Sequence, residues 1–199
     1  MKKITVRSAL IASILALVQT ASGESPGSLL IHPPYAAETM SREHPAGHER
    51  ALGDRLGRDF MVIRLAGQDH PWPHPYRSDG SRNRDWFGWH LPVLAPIDGI
   101  VERVHVNPAL NRPGRFGQPP ASQIRLRRDD GTRVLIAHVR AIGVAEGEKV
   151  RAGQPLALTG NDGHAFAPHI HIGAWRDGQP LQIRVDLEAL GELVEPFGP

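Results

Sequence analysis

The chain has 199 residues, 40% of them hydrophobic, with no cysteine, 11 histidines and a formal net charge of +2 at pH 7. That length suits one domain with a tail, and the missing cysteines exclude disulfides, a thiol nucleophile and cysteine-held zinc. The near-neutral charge and scattered arginines exclude a nucleic-acid-binding stripe, so no nucleic-acid partner is expected. The histidine count is the most unusual feature of the composition.

The chain opens with MKKITVRSALIASILALVQTASGES. Lys2, Lys3 and Arg7 make a positive start, Ala9 to Val18 a short apolar run, and Ala21, Ser22 and Gly23 a small-residue end. This three-part pattern predicts a cleavable secretory signal over residues 1–24, too short for a comfortable membrane span. The mature chain carries no later apolar span, so a periplasmic or secreted location is expected. Residues 25–47 hold no sustained period and read as a loosely packed N-terminal arm, and the domain is placed at 48–199.

RDFMVIRLAG (58–67) reads as a strand closed by glycine. QDHPWPHPYRSDGSRNRD (68–85), with three prolines, reads as a long loop, and loops of that length are uncommon unless functional. PVLAPIDGIVERVHV (92–106) predicts strand, Asp-Gly turn, strand. NPALNRPGRFGQPP (107–120) is a second Pro/Gly loop. SQIRLRRDDGTRVLIAHV (122–139) alternates apolar and polar residues on both sides of Asp-Asp-Gly, a hairpin signature. GVAEGEKVRAGQPLALTGNDG (143–163) predicts further short strands. The one amphipathic helix is DLEALGELVEP (186–196). The fold class is therefore mainly β, a compact antiparallel sheet or sandwich with few short helices.

APHIHIGAW (167–175) carries the sharpest signal. In a strand, His169 and His171 share one face and Ile170 and Ile172 the other. The isoleucines suit a core. Two imidazoles on the facing side suit one metal, or a metal ligand beside a proton-handling group. A hydrolytic zinc site needs three His or carboxylate ligands and an open position. Candidates beyond the pair are His138 at the end of a β run, and His48 and Asp59 around the first clear strand. Trp86 and Phe87 are expected to pin their loop to the core.

PVLAPIDGIV, VLIAHV, VAEGEKVRAGQPLALTGNDG and PHIHIG together resemble the lysostaphin-like (LytM-type) zinc metallopeptidases, over His48 to Trp175. The resemblance implies a secreted Zn2+-dependent endopeptidase, a β fold with a hairpin core like that of biotinyl and lipoyl carriers, and a peptidoglycan peptide as substrate. It implies His171 as a zinc ligand, His169 as the catalytic proton acceptor, and His138 as a second catalytic histidine that hydrogen-bonds the oxyanion or positions the water. Most of that family shows His-x-x-x-Asp just before the PV-x-A strand. Here RDWFGWHLPVLAP stands instead, which resembles a branch with those ligands further upstream. That branch places Asp59, in GRDFMVI, and His48 as the other ligands, with His44 a nearby alternative and His74 with Asp79 or Asp85 a competing pair. Two rival readings are a non-catalytic regulator of the same fold, binding a wall hydrolase or wall peptide, and a carrier-like β domain, which lacks its hairpin-tip lysine here.

Overall fold

The computed structural model describes residues 26–47, 51–66 and 72–194. The segment expected to be a signal peptide and His48 lie outside these residues. Among the described residues, fourteen strands run in chain order. They are β1 (Ser28–Ile31), β2 (Thr39–Glu43), β3 (Arg58–Val62), β4 (Arg64–Ala66), β5 (Trp72–His74), β6 (Pro92–Leu94) and β7 (Gly99–His105), followed by β8 (Gln123–Arg127), β9 (Arg133–Ala137), β10 (Val139–Arg140), β11 (Lys149–Val150), β12 (Pro155–Thr159), β13 (Ile170–Arg176) and β14 (Gln179–Val185). One α-helix, α1 (Leu187–Leu193), follows. Its N-cap is Asp186, whose carboxylate accepts from the Glu188 and Ala189 backbone N–H groups. The protein is mainly β, as its alternation and turn signals predict.

The main sheet runs β1-β14-β13-β9-β8-β7-β11, with β3 paired to β13 and β2 to β3. A second sheet, β10-β12-β6, lies apart from it in pairing, and β4–β5 form a small hairpin. Every pairing is antiparallel except β1 with β14. One face of the main sheet is dry: Ile124, Leu126, Val134, Ile136, Ile170, Ile172 and Ala174 are all 0% exposed. They share one apolar cluster with Val93, Val139 and Leu156 of the smaller sheet. Burying branched side chains of this size contributes about 1.5–3 kcal/mol each, which holds β8, β9 and β13 rigidly in register. The opposite face carries the other half of the alternation and stays open.

β13 is the hub. One edge pairs with β9, from His171↔Ala137 to Trp175↔Arg133. The other edge is shared: Ile170–Ile172 pair with β3, and Ala174–Arg176 with β14. Gly173 lies at the changeover.

The arm expected over residues 25–47 is instead part of the domain. β1 extends the sheet beyond β14, β2 extends it beyond β3, and Leu29, Ile31 and Tyr35 are buried. The Tyr35 hydroxyl meets Thr159 Oγ1 at 2.8 Å. β1 is only four residues, and β2, Thr-Met-Ser-Arg-Glu, is almost wholly exposed, so neither writes an alternating pattern. The 68–85 loop is structured where described. β5 pairs with β4, Trp86 Nε1 donates to Gly80 O at 2.9 Å and packs on Tyr76, and Phe87 packs against the core.

Candidate metal centre

Asp59 and His171 are register partners on β3 and β13, so both side chains stand on the open face. His44 follows β2, whose last residues pair with the start of β3, and its backbone N–H bonds Gly57 O. The three side chains meet. His171 Nδ1 lies 2.9 Å from Asp59 Oδ1, and His44 Nε2 lies 3.0 Å from Asp59 Oδ2. One ligand-type atom from each of the three falls within 4.8 Å of the others. His44, named above as an alternative, is the third residue of the group among the described residues, and His48 lies outside them. The competing residues are elsewhere: His74 is on the β4–β5 hairpin, Asp79 accepts from Ser81 N, and Asp85 accepts from Arg82 N.

Four imidazoles surround this point, and each has one nitrogen against a backbone carbonyl. His44 Nδ1 faces Asp54 O at 3.1 Å, and His171 Nε2 faces Gly53 O at 2.7 Å. His169 Nδ1 faces Ala167 O at 2.7 Å, and His138 Nδ1 faces Asp162 O at 2.9 Å. A carbonyl oxygen only accepts, so each of those ring nitrogens carries the proton. In the neutral rings the other nitrogen is then a lone pair. At His44 and His171 those lone pairs point at the Asp59 carboxylate, itself only an acceptor. Acceptors converging on one point are unfavourable unless a proton or a cation sits between them. Two imidazole nitrogens and a carboxylate, with each imidazole's second nitrogen fixed by a carbonyl, form a donor set and outer shell that fit a divalent metal such as zinc.

A turn over residues 51–57 supplies two of those carbonyls, and glycines let it approach. A Cβ on Gly173 would sit 1.6 Å from Gly53 O, and one on Gly57 would sit 2.6 Å from His171 Cε1. The turn thus lies directly on β13 at the Gly173 changeover. His138 follows β9 with φ +62°, in the left-handed region, and its carbonyl accepts from Gly160 N at 2.7 Å. Asp162, whose carbonyl orients His138, is itself held by Ser122, with N and Oγ on its carboxylate at 3.0 and 2.5 Å.

The electrostatics follow the geometry. Where a proton rather than a cation bridges each contact, burial pushes the Asp59 carboxyl up, but hydrogen bonds from His171 and His44 outweigh it and hold Asp59 well below the usual carboxylate range. The hydrogen bond to Asp59 raises His44. Burial, reinforced by the neighbouring His169, pushes His138 down to about 3. Burial also lowers His169, although Asp59, 3.9 Å from its Nε2, pulls the other way. The His138 and His169 rings lie 4.8 Å apart. The open face around them forms a cavity of about 960 Å³ whose lining includes all four imidazoles, Asp59, Gln123, Arg125 and Trp175.

Asp59, His138, His169 and His171, all named from the sequence, line one cavity. The sequence did not reveal the Gly53 and Asp54 carbonyls, Gly173, or the Ser122–Asp162 support. The clue to the turn was the pair of glycines, Gly53 and Gly57, flanking Asp54 just before the Asp59 strand.

Residues 88–183 match the model of Peptidase family M23. The DD-carboxypeptidase/endopeptidase Mpg of Neisseria meningitidis serogroup B is 32% identical over 90 residues, covering 45% of this chain and 18% of that protein. An uncharacterized metalloprotease of Haemophilus influenzae is 32% identical over 97 residues, covering 47% and 18%. The chain therefore matches less than a fifth of the length of either relative. Among solved structures, the catalytic domain of the prophage-encoded M23 protein EnpA from Enterococcus faecalis has a TM-score of 0.49 at 16% identity, over 75% of this chain and 92% of that one. The matched region, 96 of the 199 residues, holds His138, the Gly-Asn-Asp-Gly turn and the Pro-His-Ile-His segment, and these residues are what the chain shares with Peptidase family M23.

Proposed function

We propose that the protein is an exported zinc endopeptidase that hydrolyses peptide bonds of peptidoglycan, in stem peptides or cross-bridges. The observation that carries this reading is the convergence of His44, Asp59 and His171 beside two further imidazoles whose tautomers are fixed. His44, Asp59 and His171 would hold the metal. When bound, zinc supplies a Lewis acid for the scissile carbonyl.

The chain's own groups do the rest. His169 Nε2 and His138 Nε2 are both acceptors, because both Nδ1–H groups are committed to carbonyls. Neutral His138 therefore suits holding a water by accepting from it, and not donating to an oxyanion. His169 takes the proton of the attacking water and delivers it to the leaving amine. Burial keeps both rings neutral and so ready to accept. Export rests on the leader-like composition of residues 1–24. The activity that gives Mpg its name, DD-carboxypeptidase and endopeptidase, is consistent with a wall-peptide substrate.

The test is metal analysis of the purified protein with digestion of purified peptidoglycan, products read by mass. Expected are one zinc per chain, new free amines, and loss of both zinc and activity in Asp59→Ala but not in Asp85→Ala. A chain without zinc, or with chelator-insensitive activity, refutes the reading.

A further inference from the structure

The open face of the main sheet does not end at the imidazoles. Register places its side chains in rows. His171, Ala137, Gln123 and His105 form one row, and Gly173, Leu135, Arg125 and Arg103 the next. Arg133 and Arg127 stand in the third, beside Trp175. Four arginines therefore share one corner of this face. Glu102, at the β7 bulge, meets Arg125 Nε at 2.7 Å, Arg133 Nε at 3.1 Å and Arg127 Nε at 3.9 Å. One carboxylate against four guanidinium groups leaves a surplus of three positive charges on the face. Of the acidic groups around it, Asp130 is shared between Arg128 and Arg176, and Glu146 accepts from Val104 N beside Arg103. Gln123 and Arg125 line the same cavity as the imidazoles, so the patch and the centre open into one cleft.

We propose that this arginine corner is an anion subsite that binds a carboxylate of the peptide substrate a few residues from the bond at the centre. The inference rests on the reading of the centre as a peptidase site. Guanidinium groups match carboxylates in a two-point geometry, and partial exposure leaves these arginines with free N–H donors. Strands about 4.8 Å apart and about 6.8 Å per two residues put Arg125 roughly 12 Å and Arg127 roughly 17 Å from His171 along the face. An extended peptide rises about 3.4 Å per residue, so the carboxylate belongs three to five residues from the scissile bond. The occupant is a peptide with spaced carboxylates and not a polyanion charged at every unit. Glu102 sits in the middle of the corner and Asp54 and Asp59 line the cleft, and each repels a continuous run of negative charge.

The test is equilibrium binding of a rhodamine-labelled peptide carrying one glutamate, against its glutamine counterpart and against polyphosphate, followed by anisotropy at low and high salt. The wild-type chain is expected to prefer the glutamate peptide by about tenfold, worth about 1.4 kcal/mol, with the preference shrinking in salt. Arg103→Gln/Arg127→Gln should lose the preference while binding the glutamine peptide as before, which also shows that the variant is folded. Equal wild-type affinity for both peptides, a preference that survives in the double variant, or tight polyphosphate binding without a carboxylate preference would each overturn the proposal. Binding does not require turnover. A glutamate preference without wall-peptide hydrolysis would sink the peptidase reading alone, and hydrolysis without the preference would sink the subsite alone.

Discussion

Gly173→Ala should damage the centre without touching any of its side chains. The added Cβ would sit 1.6 Å from Gly53 O and 2.5 Å from Gly53 C, where contacts below about 3 Å force a shift. β13 is pinned by its pairing with β9, β3 and β14, so the turn over residues 51–57 has to lift, by more than an ångström. That turn carries Gly53 O, which fixes His171, and Asp54 O, which fixes His44. Both imidazoles would lose the partner that sets their tautomer and angle. Loss of such outer partners typically costs 10–100-fold in metal affinity, and the overpacking itself about 1–3 kcal/mol of stability. The assay is zinc titration against a competing chelator, with thermal melts of the metal-free chain. Gly191→Ala is the control: nothing lies within 4 Å of its new methyl, and it sits in α1, so it should be neutral or slightly stabilising. A Gly173→Ala chain whose zinc affinity stayed within twofold of wild type would show that the turn is not what holds the ligands.

His44→Ala should empty the metal site whereas His48→Ala should leave it filled; metal analysis of both variants checks the choice, and the opposite pattern would restore His48. His138→Ala should keep zinc and lower kcat on the order of a hundredfold with little change in KM, because what it removes is orientation of the attacking water, read by steady-state kinetics on a wall peptide. The same residue predicts a pH effect. With His138 held down to about 3 against an ordinary value of 6.5, the unfolded chain binds a proton that the folded chain refuses between those values. Stability from this group is intact above about pH 6.5 and falls with acid, at up to about 1.4 kcal/mol per pH unit. His138→Gln should show a shallower decline in denaturant melts between pH 7 and 5.

What the sequence made legible was what alternation and turn chemistry write locally. The β8–β9 hairpin, β13 with its paired imidazoles, and the capped helix at Asp186 were all readable. Two residues apart on one strand is a local relation, so His169 and His171 announced their common face. Asp59 was readable through the family resemblance, which points to the acidic residue at the start of a strand of β-forming residues. His44 stood only as an alternative to His48, because β2 is exposed on nearly every residue and carries no apolar rhythm. Its place is set by pairing with β3, a relation between distant segments. The carbonyl locks were invisible for a different reason: Gly53 O, Asp54 O, Ala167 O and Asp162 O are main-chain atoms whose direction no side-chain pattern encodes. The arginine corner was hidden in the same way. Arg103, Arg125, Arg127 and Arg133 look scattered along the chain and come together only through the register of three strands.

That register also accounts for where the His44, Asp59 and His171 cluster draws its residues. The family match begins at residue 88 and includes His138, His169 and His171, but neither His44 nor Asp59. The open half-edge of β13, Ile170–Ile172, is created where β14 pairs only from Ala174 onward. Any strand that fills this half-edge sets one residue opposite His171, on the same face and within hydrogen-bond reach. Here β3 fills it, and the opposite residue is Asp59. The carboxylate's position is thus fixed by pairing to β13, not by its distance along the chain from the Pro92 strand. β2, pairing on the outer edge of β3, then brings His44 to the carboxylate's second oxygen. His-x-x-x-Asp is absent before Pro92, and the segment that lies beside His171 is β3, so the cluster formed there holds two imidazoles and one carboxylate.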